Sequence, residues 1–265
     1  MSIAIDILFL AAAVLYVLGG ASTLTFLLGA RESPGPLGSS ALLLGAILHA
    51  VHDALRWSVN GVSPWSGIAP ALSTLGLFIC VLFLLARSVR RTIEVAGAFV
   101  APAVLVALLA SRAHARAVPA RGPLFSVHIS SSLVGLATLT VAAAMAATYL
   151  LQERQVKSRR LGGLFHKLPP LDTLDTLTFR FVAIGIPALT LGVVTGHVVG
   201  VGLNRARGLP WQQYFAMTTW VIFVGVLLLR LLAGWRGRRA AIGTLVGFAS
   251  SVMVLLAYVA RGVRS

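Results

Sequence analysis

An all-α integral membrane protein is the fold class the sequence predicts, a bundle of about eight transmembrane helices in a single polytopic domain over residues 1–265. Three observations predict it. Hydrophobic residues make up 58% of the chain and charged residues only 11%, where a soluble domain carries about a quarter charged. Mean hydropathy is +0.92, which overrides the one or two soluble domains that length alone would allow. The few charges fall between long apolar runs, as expected where a charge in hydrocarbon costs roughly 3 kcal/mol or more.

A span needs about twenty apolar residues. In order, the qualifying runs are Ile7–Leu28, Leu37–Trp57, Gly67–Ala86, Val95–Ser111, Phe125–Leu151, Phe179–Leu203, Tyr214–Leu232 and Ala240–Val259. The first is read as a retained helix, because Met1 to Asp6 lacks the basic residues of a cleavable signal. Chain breakers mark the connectors: Ser33-Pro34-Gly35-Pro36, Asn60-Gly61 with Pro64, Pro119, Pro169-Pro170 and Pro210. Pro102 and Pro187 fall inside runs, where membrane helices tolerate proline better than soluble ones. The longest connector, from about Gln152 to Thr178, is expected to hold a short helix on the membrane face, with Asp172 or Thr173 near its start.

Lysine and arginine counts in alternate connectors set the expected orientation. One side carries fourteen and the other eight, which puts the richer side in the cytoplasm and both termini outside it. The net charge of +15 then reads as topology signal and as attraction to anionic membrane lipid, not to nucleic acid. The lone cysteine, Cys80, lies inside an apolar run, so neither a dithiol redox motif nor a covalent haem-attachment motif is present.

On this topology five of the six histidines fall on the outer side, with only His166 cytoplasmic. Intramembrane ionisable residues are functional candidates by default. In the second span His49, His52, Asp53 and Arg56 share one helix face, at offsets of three, four and seven. One reading is a ligand constellation, with imidazole for haem iron or a transition metal, Asp53 orienting a ring and Arg56 pairing an anion. The other is a polar cap that hydrogen-bonds neighbouring helices. His128 opens the fifth span among Ser126, Ser130, Ser131 and Ser132. In the sixth, Gly192, Gly196 and Gly200 recur every four residues beside His197, a pattern that favours close helix packing. No nucleotide-binding loop, zinc-protease helix or serine-hydrolase pattern is present.

From about residue 125 to 260 the chain resembles the membrane cytochrome c assembly family. The residues carrying the resemblance are Val127-His128-Ile129-Ser130; Gln152-Glu153-Arg154; Leu168-Pro-Pro-Leu-Asp-Thr-Leu-Asp; Thr190-Leu-Gly-Val-Val-Thr-Gly196; and Thr219-Trp220 followed by Gly234-Trp-Arg-Gly-Arg-Arg-Ala-Ala241. In the first half Arg56-Trp57, Gly61 and Pro64 add to it. Within the family the likeness is to the short eight-helix HemX and YpjD-like branch of the CcsA/ResC superfamily. It implies a multi-pass protein of the bacterial inner membrane that binds or handles haem, here b-type, alongside other cytochrome c biogenesis or haem-pathway proteins.

The resemblance also carries the family's first outer histidine onto His128 and its tryptophan-rich loop onto 204–214. That loop here reads Asn204-Arg-Ala-Arg-Gly-Leu-Pro-Trp-Gln-Gln-Tyr214, with Trp211 alone and no W-x-W-D. Haem handling or an accessory role is therefore expected rather than thioether ligation, and the chain is not expected to be an enzyme. His128, His49, Trp211 and Asp53 are the cofactor-binding candidates. A rival reading is a transporter or metal-handling protein that places His49 and His52 on a metal ion, with Asp53. A structural or regulatory subunit without ligand is the third.

Overall fold

A computed structural model describes residues 2–29, 35–112, 122–158, 164–203 and 211–264. Its helices are α1 (Ser2–Leu27), α2 (Gly35–Asn60), α3 (Ile68–Val89), α4 (Gly97–Ala110), α5 (Pro123–Lys157), α6 (Leu164–Lys167), α7 (Leu171–Leu203), α8 (Trp211–Leu232) and α9 (Arg238–Arg264), with a 3-10 turn at Arg91–Ala96 leading into α4. Eight of these segments are long and apolar enough to cross a membrane. The chain is thus a multi-pass, all-helical membrane protein, as the hydropathy predicts.

Two helices run longer than expected. The fifth span, expected to stop at Leu151, continues to Lys157. Its 35 residues amount to about 52 Å of helix, against about 30 Å of hydrocarbon. The Leu-Pro-Pro-Leu-Asp-Thr-Leu-Asp stretch does not form a separate surface helix. Its Leu171–Asp175 part is the start of α7, with Asp172 in the opening turn. Pro169 and Pro170 lie immediately before that helix, where proline's fixed φ and missing N–H cost least. The two long helices support each other beyond the bilayer, so hydropathy underestimates both.

Helices pair antiparallel at glycines. Along α5 and α7, His128 meets Gly196, Ser132 meets Gly192, Gly135 meets Leu189 and Leu139 meets Gly185. A methyl group added to Gly135 would lie 2.8 Å from the Leu189 backbone nitrogen, and one on Gly185 would lie 2.9 Å from Leu139 Cγ. The same device joins α1 to α2, where Gly19 meets Leu42 and Gly45 meets Tyr16, and α8 to α9, where Gly243 meets Val226 and Gly247 meets Phe223. Bilayer lipid is as apolar as leucine, so close packing across small residues drives these associations rather than hydrophobicity.

The centre of the bundle is α5, with 72% of its apolar window buried, while α8 is peripheral at 17%. The main core gathers Phe9, Tyr16, Leu75, Phe83, Val104 and Met145 from α1 and α3 to α5. A second core, around Leu139, Ile186 and Phe223, seats α8 against α5 and α7. Large apolar side chains such as Leu10, Val14, Val17, Ile184, Val221 and Leu232 are exposed, as a lipid-facing surface requires. Eight crossings bring the start of α1 and the end of α9 to the same end of the bundle, called here the terminal face. Arg112 beyond α4 holds Asp6 of α1 there at 2.6 Å.

Candidate functional site

The described histidines of the spans lie towards the terminal face, in two separate places. The first is built on α2. His49 and His52 are both buried, with 0% and 1% of their surface exposed. The helical spacing that put them on one face also turns that face inward, against α1 and α3. Tyr16 of α1 lies 3.1 Å from His49 Nδ1, and Ser73 of α3 lies 2.9 Å from His49 Nε2. Ser73 donates to Asp53 Oδ1 at 2.6 Å. A serine has one proton to give. Because it goes to the carboxylate, Ser73 must accept from His49 Nε2–H, and Tyr16 must donate to Nδ1. The chain Tyr16, His49, Ser73, Asp53 is therefore directional, and both ring nitrogens of His49 are engaged.

Asp53 Oδ1 also accepts from His52 Nδ1 at 3.1 Å. Its other oxygen, Oδ2, is buried without a hydrogen-bond partner, 3.9 Å from His49 Nε2. Among the described residues no three His, Cys, Asp or Glu side chains converge as a metal ion would need. His49, His52 and Asp53 share a face as the spacing predicts, but their donor atoms are turned to one another and to hydroxyls. Next to Asp53 lies a pocket of about 190 Å³, walled by Arg56, Trp57, Pro64, Pro70 and Leu77 among others.

The second place is where α5 starts. Gly122, at φ 93°, turns the chain and Pro123 opens the helix, an arrangement suited to both residues. His128, in the second turn, lies over α7. Its Nδ1 is 2.7 Å from the carbonyl oxygen of Gly192. A carbonyl only accepts, so Nδ1 carries the proton and Nε2 is left with the lone pair. No described residue hydrogen-bonds Nε2. The ring fits because position 196 is glycine: an added methyl would lie 2.5 Å from His128 Cε1. Two residues on, Trp65 of the connector between α2 and α3 donates its indole N–H to Ser130 at 3.0 Å and stacks edge-on against Trp57. His197 faces elsewhere, its Nδ1 3.1 Å from Gln213 of α8. Trp211 opens α8, but its side chain lies outside the described residues, as do most of the loop before it and His114.

Partners such as Tyr16 and Ser73 carry no ligand-like spacing in the sequence. The Gly192 carbonyl leaves no letter there at all.

At the opposite face the motifs that carried the resemblance assemble into a clamp. Asp175 accepts from both Arg230 amino groups, at 2.8 and 2.7 Å, and from the Gly237 amide at 2.8 Å. Glu153 receives Lys157 at 2.7 Å, and Arg238 approaches it at 3.9 Å. Gly234 and Gly237 hold positive φ, at 65° and 63°, which shapes the short turn between α8 and α9 around the Asp175 carboxylate. Lys167 of α6 donates to the Phe26 carbonyl at 2.9 Å, tying the long connector back to α1.

Eight antiparallel spans joined through glycines, with inward-turned imidazoles near one face and an acid–arginine clamp at the other, define a polytopic membrane protein organised around histidines. Known proteins make the class specific. Residues 7–261 match the family described as Cytochrome C assembly protein. A cytochrome c biogenesis protein CcsA from Guillardia theta is 26% identical over 252 residues, covering 84% of this chain and 81% of that protein. One from Synechococcus elongatus is 26% identical over 266 residues, covering 80% and 81%. One from Nostoc punctiforme reaches 36% over 96 residues, 35% of this chain and 26% of that protein. The chain belongs to the cytochrome c assembly family, and it is a multi-pass membrane protein of cytochrome c assembly.

Proposed function

We propose that this protein holds haem b at its terminal face through Nε2 of His128, in the short HemX and YpjD-like branch of its family. The observation carrying the reading is the His128 tautomer. Metal-bound histidines almost always donate their other ring N–H to a carbonyl or carboxylate, which fixes the ring and raises its basicity. The Gly192 carbonyl does this for His128, and Gly196 leaves the imidazole room to lie flat on α7. His49 lacks that character, because Tyr16 and Ser73 take both of its nitrogens. In this reading His49 and Asp53 shape the first four helices, and His128 is the ligand.

Haem would supply a redox-active iron and the macrocycle destined for attachment to a cytochrome. This chain's own residues orient the imidazole and pack the face behind it. The reading is a holding or accessory role beside other haem-pathway proteins, without catalysis of thioether formation. It places the protein in the bacterial inner membrane, with the terminal face outside the cytoplasm, in keeping with the lysine and arginine bias.

The test is the absorption spectrum of detergent-purified protein after haem-replete expression, oxidised and reduced. Wild type should show a Soret band, His49→Ala should keep it and His128→Ala should lose it. A folded, colourless wild-type protein would sink the reading.

A further inference from the structure

Asp53 and Arg56, one turn apart on α2, both line the pocket. Asp53 Oδ2 is buried with no hydrogen bond, while Oδ1 is already doubly engaged. Arg56, one turn further along α2, is half-buried, and its guanidinium makes no ion pair or hydrogen bond with a described residue. Side chains three apart on a helix lie about 5–6 Å apart at their Cβ atoms. The remaining walls are largely apolar, among them Trp57, Pro64, Pro70 and Leu77.

We propose that this pocket binds a primary-ammonium phosphate zwitterion, the headgroup chemistry of an aminophospholipid, with the ammonium on Asp53 and the phosphate on Arg56. An anion alone would answer Arg56 but would meet the Asp53 carboxylate within the same small space, where like charges repel strongly. A cation alone would leave the guanidinium uncompensated. A zwitterion supplies an N–H donor and an anion at about the separation the helix sets, and both resulting contacts are charge-assisted. The volume of about 190 Å³ lies below the roughly 300 Å³ at which pockets begin to take drug-sized molecules, so it suits a headgroup. The pocket is also near the end of a span, at the depth where headgroups lie. The proposal is independent of haem.

Native mass spectrometry of the full chain, released from nanodiscs containing equal parts phosphatidylethanolamine, phosphatidylcholine and phosphatidylglycerol, tests it. Phosphatidylethanolamine should be retained about tenfold over the other two, the value of roughly one charge-assisted hydrogen bond. Phosphatidylcholine has the same charges without N–H donors, so that comparison needs no mutant and survives any folding defect. Asp53→Asn should erase the preference for ethanolamine over choline, and Arg56→Gln should lower retention of both. Displacement by soluble glycerophosphoethanolamine would assign the site to free headgroups as well, and resistance to it would assign the site to the intact lipid. Equal retention of all three lipids, or preference for phosphatidylglycerol, would overturn the proposal.

Discussion

The two ends of the α5–α7 pair are built differently. At the far end Asp175 is gripped by Arg230 and the Gly237 amide, and Glu153 has Lys157 within 2.7 Å. At the terminal face the His128 ring makes one hydrogen bond, through Nδ1, and on α2 Asp53 leaves one oxygen without a hydrogen bond. Buried polar groups are normally satisfied, and those that are not call for an explanation. On the proposed function this is a division of labour: one end fixes the helices relative to each other, and the other holds the ligand. Glu153, Asp175 and Gly237, from three of the motifs behind the resemblance, sit at the first end.

Three substitutions sharpen or break that contrast. Removing the clamp has the largest effect. Asp175→Ala leaves Arg230 buried at 9% exposure without its partner, and should cost about 4 kcal/mol. Thermal unfolding in detergent reads the loss, and the folded fraction should keep the haem spectrum of wild type. Loss of the Soret band in that fraction would mean that the two ends are not separable.

His49→Ala comes next, at about 3 kcal/mol, because it opens a cavity and takes the acceptor from the Tyr16 hydroxyl. It should lower the melting temperature while leaving the Soret band. A large spectral change with unchanged stability would reverse the assignment of the two histidines. Gly196→Ala has the smallest expected effect. Its methyl pushes the His128 ring off α7 and should weaken haem affinity about tenfold, the lower end of what lost ligand orientation costs. Haem titration measures this, and an unchanged affinity would show that the glycine does not set the ring.

Much of the fold was legible because the bilayer enforces it. Every span announces itself as an apolar run of sufficient length, whatever its packing. The ends of α5 and α7 escaped, since Gln152–Lys157 and Leu171–Thr178 are helical by contact with each other and the clamp, beyond the region hydropathy reports on. The α2 face was readable as a face from its spacing of three and four. Its chemistry was not, because the atoms that occupy His49 come from residues 33 and 24 positions away in sequence. His128 stood out only through resemblance. Its orienting partner is a backbone carbonyl, and the compositional traces are two glycines: 192, which lets α7 approach Ser132, and 196, which makes room for the ring.

That glycine constrains the order in which this site can change over time. While His128 is present, a side chain at 196 collides with the ring, so selection on the histidine also preserves the glycine. Once the histidine is lost, the three atoms nearest to an added methyl go with it, and alanine favours the helix by about 1 kcal/mol. After such a drift, restoring histidine alone would meet an occupied position. Loss of the histidine thus becomes a one-way step in descent, and the pairing of histidine at 128 with glycine at 196 marks lineages that have not taken it.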